Sequence, residues 1–238
     1  ESSYWPAIRL GLSRVRNLPR EAIERIVDAR SEQAFLDLSD LKRRAQLSRE
    51  DMQSLAAADA LRSLAGHRRD AYWQAIGIEA DTRVFQSPKE SMQANLFAPS
   101  EASDIVEDYR STGLSLRRHP VALLRPHLAM ARTRSAAEIY ASRSGRYLRA
   151  AGIVTCRQHP STAKGTTFVT LEDETGYVNV VVWESVAQRF RKALVLSRFM
   201  LVAGKIERQG SVVHLIAEQL IDRTALLGAL TTSSRDFH

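Results

Sequence analysis

One cysteine, Cys156, stands among 238 residues, so the chain closes no internal disulfide and builds no zinc site of the usual Cys-rich kind. No apolar run approaches the length of about 18 residues that a membrane-spanning helix needs. No apolar stretch behind a basic N-terminus marks a signal peptide. The short motifs of soluble enzymes are missing as well. There is no Gly-rich phosphate loop, no His/Cys ligand spacing and no Gly-x-Ser-x-Gly element. The six histidines are scattered, none with a partner at helical ligand spacing. Glu172, Asp173 and Glu174 do fall together, but in a hairpin turn, where a solvated role is expected over metal binding. No catalytic residue, no metal site and no cofactor is therefore assigned to this chain. Net charge is also in short supply, since 34 Lys+Arg against 27 Asp+Glu leave +7, a balance that permits nucleic-acid contact without demonstrating it.

What is present is a core. Hydrophobic residues make up 44% of the chain, enough for one or two folded domains and incompatible with a disordered composition. The expectation is a soluble protein of a reducing compartment, placed in the cytoplasm. The chain begins at Glu1 rather than methionine and is read as a piece of something longer. Its basic excess is uneven: 14 basic against 13 acidic side chains over residues 1–85, but 7 against 4 over 104–145 and 10 against 7 over 146–222.

Residues 1–80 read as short helices. Ile8, Leu12 and Val15 recur at helical spacing, as do Ala22, Ile23, Ile26 and Val27 after Pro19, which suits a first helical turn. Ser39 or Asp40 is expected to cap a helix over 41–46. Ser48 followed by Asp51 is a capping pattern ahead of Met52, Leu55 and Ala56. A further helix runs from His67 to Ile76. Residues 81–103, with Pro88, Pro99 and several serines, read as a linker. Residues 104–145 form a helical connector, with periodicity over 105–109, 121–130 and about 136–143.

From Tyr147 the period switches to two. Strands are predicted over 147–156, 167–171, 177–183, 200–207 and 212–220, with a helix over 185–196 between the third and fourth. That order within residues 146–222 is the order of an OB-fold, a five-stranded Greek-key barrel. Val178, Val180 and Val182 then face the core, and Tyr177, Asn179, Val181 and Trp183 face the other way, although Trp183 is expected to end up buried. Residues 223–238 are left as a tail. The fold class is α+β and multidomain: an all-α helix-hairpin-helix region, short helices, then a five-stranded OB barrel.

Three segments are candidate sites. The turn from Leu12 to Ile23 resembles a helix-hairpin-helix, in which backbone N–H groups at a helix N-terminus hold a DNA phosphate without reading sequence. Ser13, Arg14, Arg16, Asn17 and Arg20 are its candidate contacts. Asn17-Leu18-Pro19 replaces the usual Gly-apolar-Gly, and Pro19 removes one donor, so an ordinary helix pair is the alternative. Gln93, Leu96 and Phe97 resemble the linear motif by which bacterial proteins bind the sliding clamp, with the apolar pair filling a pocket and the amide at its rim. Packing of Leu96 and Phe97 onto neighbouring helices is the alternative there. On the barrel, Arg149, Arg157, Lys164, Phe168 and Arg208 are the candidate contacts for single-stranded DNA, joined by Tyr147, His159 and His214. The loop 157–166 is the expected basic finger. A barrel that binds protein instead is the alternative.

The order of these parts resembles the C-terminal third of bacterial C-family DNA polymerases, the replicative alpha-subunit group. The stretches that carry the resemblance are Ile8–Ser13, Ala58–Leu64, Val106–Leu116, His119-Pro120, Phe168–Gly176 and Asn179–Trp183. The ending Ser234-Arg235-Asp236-Phe237-His238 is similar to that of the error-prone branch. The resemblance implies a damage-inducible polymerase of translesion synthesis and mutagenesis, whose catalytic region, with its Mg2+, lies upstream of Glu1. It implies primed or single-stranded DNA as a partner, together with the sliding clamp and an inactive Y-family-like adaptor that supplies clamp contact in place of Gln93. A protein-docking module with little DNA contact is the other function this resemblance allows.

Overall fold

A computed structural model of the chain describes residues 10–77, 100–160, 165–228 and 235–237. The chain divides into two compact units, Glu1–Ser115 and Leu116–His238.

In the first unit a single 3-10 turn, Leu12–Arg14, precedes α1 (Arg20–Glu32), α2 (Leu38–Arg44), α3 (Arg49–Ala57), α4 (Arg62–Ala65), α5 (Arg68–Gly77) and α6 (Glu101–Ser111). Among the described residues the expected first helix is only that turn. Helix α2 starts earlier than expected because Asp37, rather than Ser39 or Asp40, accepts the Asp40 N–H and caps it. The Ser48–Asp51 capping box on α3 is complete, each side chain bonding the other's backbone N–H. Val15, Leu18, Ala22, Ile26, Leu41, Met52 and Leu55 are buried in one cluster. The turns from α2 to α3 and from α3 to α4 lack glycine, and Gln46 and Asp59 supply the positive φ there, at 49° and 56°.

The second unit opens with α7 (Pro120–Met130) and α8 (Ala136–Tyr140). Then come β1 (Tyr147–Gln158), β2 (Thr167–Asp173), β3 (Gly176–Val182), α9 (Glu184–Arg189), α10 (Arg191–Leu196), β4 (Phe199–Gln209) and β5 (Val212–Asp222). The strands run β2-β3-β5-β4-β1 and close through a β1–β2 pairing into a five-stranded barrel, the OB architecture expected. The single helix expected between β3 and β4 is two, because Phe190 leaves the helical region at φ −112°, ψ 27°. The tail is not all tail: β6 (Arg235–Phe237) adds to the sheet in parallel beside Cys156–Gln158.

Val178, Val180 and Val182 do enter the barrel core, with Leu171, Val202 and Leu215. Trp183 does not, being 51% exposed. It follows the last β3 residue as the N-cap of α9 and stays outward, as alternation with the buried Val182 expects, so the large ring alone does not bring it into the core. Two glycines hold the strands close. A Cβ on Gly204 would lie 1.9 Å from the Ile216 carbonyl oxygen, at the irregularity between Ala203 and Gly204, and one on Gly152 would lie 2.7 Å from the Glu172 carbonyl oxygen. No described helix is long and apolar enough to cross a membrane.

Candidate nucleic-acid interface

The hairpin forms around Asn17, whose φ of 62° places it in the left-handed region, where a short polar side chain is tolerated. Val15 and Leu18 are buried on either side. Ser13, Arg14, Arg16, Asn17 and Arg20 all lie on the surface. Pro19 is the N-cap of α1 rather than its first helical residue, and no side chain caps that helix, so the early N–H groups of α1 are the donors a phosphate would use. Two features weaken that site. Glu21 places a negative charge in the first turn, and Arg20 pairs with Glu24 at 2.9 Å.

Arg14 and Arg16 have structural work. Arg14 Nη2 donates to the Thr112 carbonyl at 3.2 Å and Arg16 Nη1 to the Arg110 carbonyl at 3.0 Å. The Arg16 backbone N–H bonds the Ser111 carbonyl at 2.8 Å. These are the orphan carbonyls at the C-terminus of α6, and a guanidinium there also meets the negative end of the helix dipole.

The same pattern recurs on the barrel. Arg157 Nε donates to the Leu194 carbonyl at 2.6 Å, and its Nη2 donates to the Ser197 carbonyl, both at the end of α10. Arg208 Nη2 donates to the Tyr140 carbonyl and, at 3.3 Å, to the Ser142 carbonyl past α8. Arg149 Nη1 reaches the Ala131 carbonyl, the C-cap of α7, at 3.3 Å. Arg157 is thus half-buried against a helix end, and its side chain does not project as a basic finger. It lines a cavity of about 460 Å³ with His159, Gly165, Glu184 and Arg191. Lys164, Gln93, Leu96 and Phe97 lie outside the described residues.

Phe168 is exposed at 36% on the outer face of β2, and strand register extends its neighbourhood. Phe168 stands opposite Val181, Val181 beside Ile216, Ile216 opposite Lys205, and Lys205 opposite Tyr147. Partners in register share a sheet face, so this row runs around the barrel exterior from one aromatic to another. Asn179 and His214 are paired in the next row, with Glu207 opposite His214. His214 Nδ1 is buried there without a hydrogen-bond partner among the described residues.

At the Tyr147 end stands a group of arginines that sequence reasoning missed. Met130, Arg132, Arg134, Tyr147 and Arg149 line a groove of about 440 Å³, and Arg134, Glu138, Ser142, Arg143 and Arg146 line another of about 520 Å³. Arg134 belongs to both. The available signal was the charge excess over 104–145 together with the spacing of Arg132 and Arg134 and of Arg143 and Arg146. Loop positions carry no periodicity that would have gathered them.

The acidic turn is not solvated as expected. Asp173 is buried, accepting from Arg125 Nη2 at 2.6 Å, the Ala136 N–H at 2.8 Å and the Thr175 N–H and Oγ1 at 2.7 Å. Burial pushes its carboxyl up, but the bonds from Thr175, Ala136 and Arg125 outweigh that and hold it below the ordinary value. Arg125 also binds Glu174. These acids dock α7 and α8 onto the barrel. Among the described residues no three His, Cys, Asp or Glu side chains gather as metal ligands.

Residues 2–71 match the family of the helix-hairpin-helix motif, and residues 148–222 match the OB-fold nucleic acid binding domain. The chain is 49% identical to an error-prone DNA polymerase of Alkalilimnicola ehrlichii over 234 residues, covering 98% of this chain and 23% of the relative. It is 46% identical to that of Teredinibacter turnerae over 241 residues, again 98% and 23%. The chain therefore spans about a quarter of the length of these curated relatives. Among solved structures, asparaginyl-tRNA synthetase from Pyrococcus horikoshii aligns with 38% of this chain and 22% of its own, at 23% identity and a TM-score of 0.34.

Proposed function

We propose, for a chain similar over nearly its whole length to about a quarter of an error-prone DNA polymerase, that it is the non-catalytic DNA-gripping segment of such an enzyme. The observation that carries this reading is the pairing of two nucleic-acid-binding families in one chain, 98% of which aligns with those polymerases. In this reading nucleotide transfer, with its Mg2+, belongs to the rest of such a protein. This segment supplies sequence-independent hold on primed or single-stranded DNA. The work it serves is translesion synthesis and damage-induced mutagenesis, carried out in the cytoplasm.

The grip is divided between two surfaces. The turn at Asn17 offers backbone N–H groups to a phosphate, and the outer barrel row from Phe168 to Tyr147 offers stacking faces with Lys205 between them. Titration of the chain with single-stranded, duplex and primed DNA at two salt concentrations tests this. Affinity is expected to fall as salt rises, because phosphate contacts release counterions. No binding at low salt would remove the reading.

Docking of protein partners is the second reading. Its support is that Arg14, Arg16, Arg149, Arg157 and Arg208 are engaged at helix ends, which leaves less charge for DNA at the hairpin and the barrel loop. Its partners are the sliding clamp, through Gln93, Leu96 and Phe97, and an inactive Y-family-like adaptor. Under this reading the chain captures clamp or adaptor while DNA titration stays flat.

A further inference from the structure

We infer that single-stranded nucleic acid leaves the barrel face over Tyr147 and runs into the arginine groove between α7, α8 and the start of β1, where Arg132, Arg134, Arg143 and Arg146 hold its phosphates. This rests on the DNA-binding reading and says where on the second unit the strand is held.

The argument begins with what the arginines do. Of the 34 basic residues 29 are arginine, and many serve helix ends: besides those already described, Arg25 Nε bonds the Ala45 carbonyl beyond α2 at 2.9 Å and Arg44 Nη2 bonds the Ala29 carbonyl in the last turn of α1. Arg132, Arg143 and Arg146 are different. All three are exposed, and among the described residues their guanidinium groups make no hydrogen bond or ion pair. Arg134 spends one side on Glu138 at 2.8 Å, the one carboxylate lining the two grooves. Five guanidinium groups, Arg149 included, against one carboxylate leave a local excess of positive charge.

The backbone fixes that cluster in place. Arg132 sits at φ 56°, turning the chain out of α7, and the Arg134 N–H bonds the Arg149 carbonyl at 2.7 Å, which ties the α7–α8 loop to β1. The Gly145 N–H bonds the Ile206 carbonyl at 2.7 Å and the Ile206 N–H bonds the Arg146 carbonyl at 2.9 Å, which ties the other side to β4. The arginine side chains are exposed, but their roots are held on a barrel.

The ligand class follows from what surrounds the charge. Tyr147, 48% exposed, and Met130, 77% exposed, line the same groove as Arg132, Arg134 and Arg149. A ring and an apolar wall beside unpaired guanidinium groups suit a polymer that alternates flat bases with phosphates better than they suit a small anion. The row Tyr147, Lys205, Ile216, Val181, Phe168 spans four strand spacings, about 19 Å, with Val181 buried and the two aromatics exposed at its ends. Each groove has the volume of an ordinary ligand site.

The test is fluorescence titration of an oligo-dT strand across salt concentrations. Replacing Arg132, Arg143 and Arg146 together by Ala is expected to reduce the slope of log affinity against log salt by about 2, the loss of three single-strand phosphate contacts. Tyr147→Ala is expected to weaken oligo-dT binding about tenfold, as the loss of one stacked base, and to leave binding of an abasic strand of equal length unchanged. A control replaces Arg30, Arg43 and Arg62, exposed arginines of the first unit, by Ala. An unchanged slope in the groove variant, or an equal drop in the control, overturns the groove while leaving the DNA-binding reading intact. Failure of the unmodified chain to bind any strand overturns both.

Discussion

At Asn17 a single backbone angle decides whether the first hairpin closes. A left-handed φ costs a residue with a Cβ about 1–2 kcal/mol, and Asn offsets part of that through its short polar side chain. Asn17→Gly is therefore expected to leave the hairpin intact. Asn17→Val is expected to lower the stability of the first unit by about 1–2 kcal/mol, read as a shift of the urea midpoint; an unmoved midpoint would mean the turn does not depend on the left-handed residue. Such a turn was legible in the sequence because Asn between Arg16 and Leu18 has few other uses. The arginines were not legible in the same way. An arginine that caps a helix and one that meets a phosphate look alike in a sequence, because the carbonyl it bonds belongs to the backbone and leaves no residue signature. Arg157 and Arg14, candidate DNA contacts by sequence, bond carbonyls at the ends of α10 and α6, whereas the exposed side chains of Arg132 and Arg146 bond none among the described residues.

Among elements, the docking of α7 onto the barrel is the most exposed to pH. His119 is the N-cap of α7, its Nδ1 accepting the Val121 N–H at 3.2 Å, while its Nε2 lies 3.7 Å from Glu172. Burial pushes the imidazole below its ordinary value of 6.5, and this outweighs the attraction of Glu172, Glu174 and Asp173. The geometry agrees with the neutral form, since a protonated Nδ1 has no lone pair for the cap. With the folded value depressed, the unfolded chain binds more protons, so this stability is complete above about 6.5 and is lost as pH falls through the lower folded value. The Asp173 carboxyl, also held low, adds stability that is lost only further down, below 3.8. Melting of the second unit is thus expected to weaken in two stages as pH falls. His119→Gln, whose amide can still accept the Val121 N–H, should flatten the first stage and keep the second. A first stage of the same size in the variant would assign it elsewhere.

For the whole molecule, the order of parts was legible and their boundary was not. Periodicity of 3.6 and then of 2 identifies helices followed by a barrel, and the buried valines of β3 follow from alternation alone. The connector expected over 104–145 is instead shared, α6 with the first unit and α7 and α8 with the second. The reason is a contact that periodicity does not encode. Arg68, at the start of α5, is buried with Nη1 on the Asp104 carbonyl at 3.1 Å, and its Nη2 bonds the Asp108 carboxylate. A guanidinium between two α6 residues ties that helix to the first unit across 36 and 40 residues of sequence. Removing the guanidinium takes a buried cation away from Asp104 and Asp108, although Asp108 keeps the Ser115 hydroxyl at 2.6 Å, so the loss weakens the attachment of α6. Arg68→Ala is accordingly expected to speed hydrogen exchange at the amides of α5 and α6, while those of β4 and β5 exchange as before. Faster exchange in β4 and β5 as well would mean that the barrel shares the stability of the helices, and that the division at Ser115 does not describe how the molecule opens.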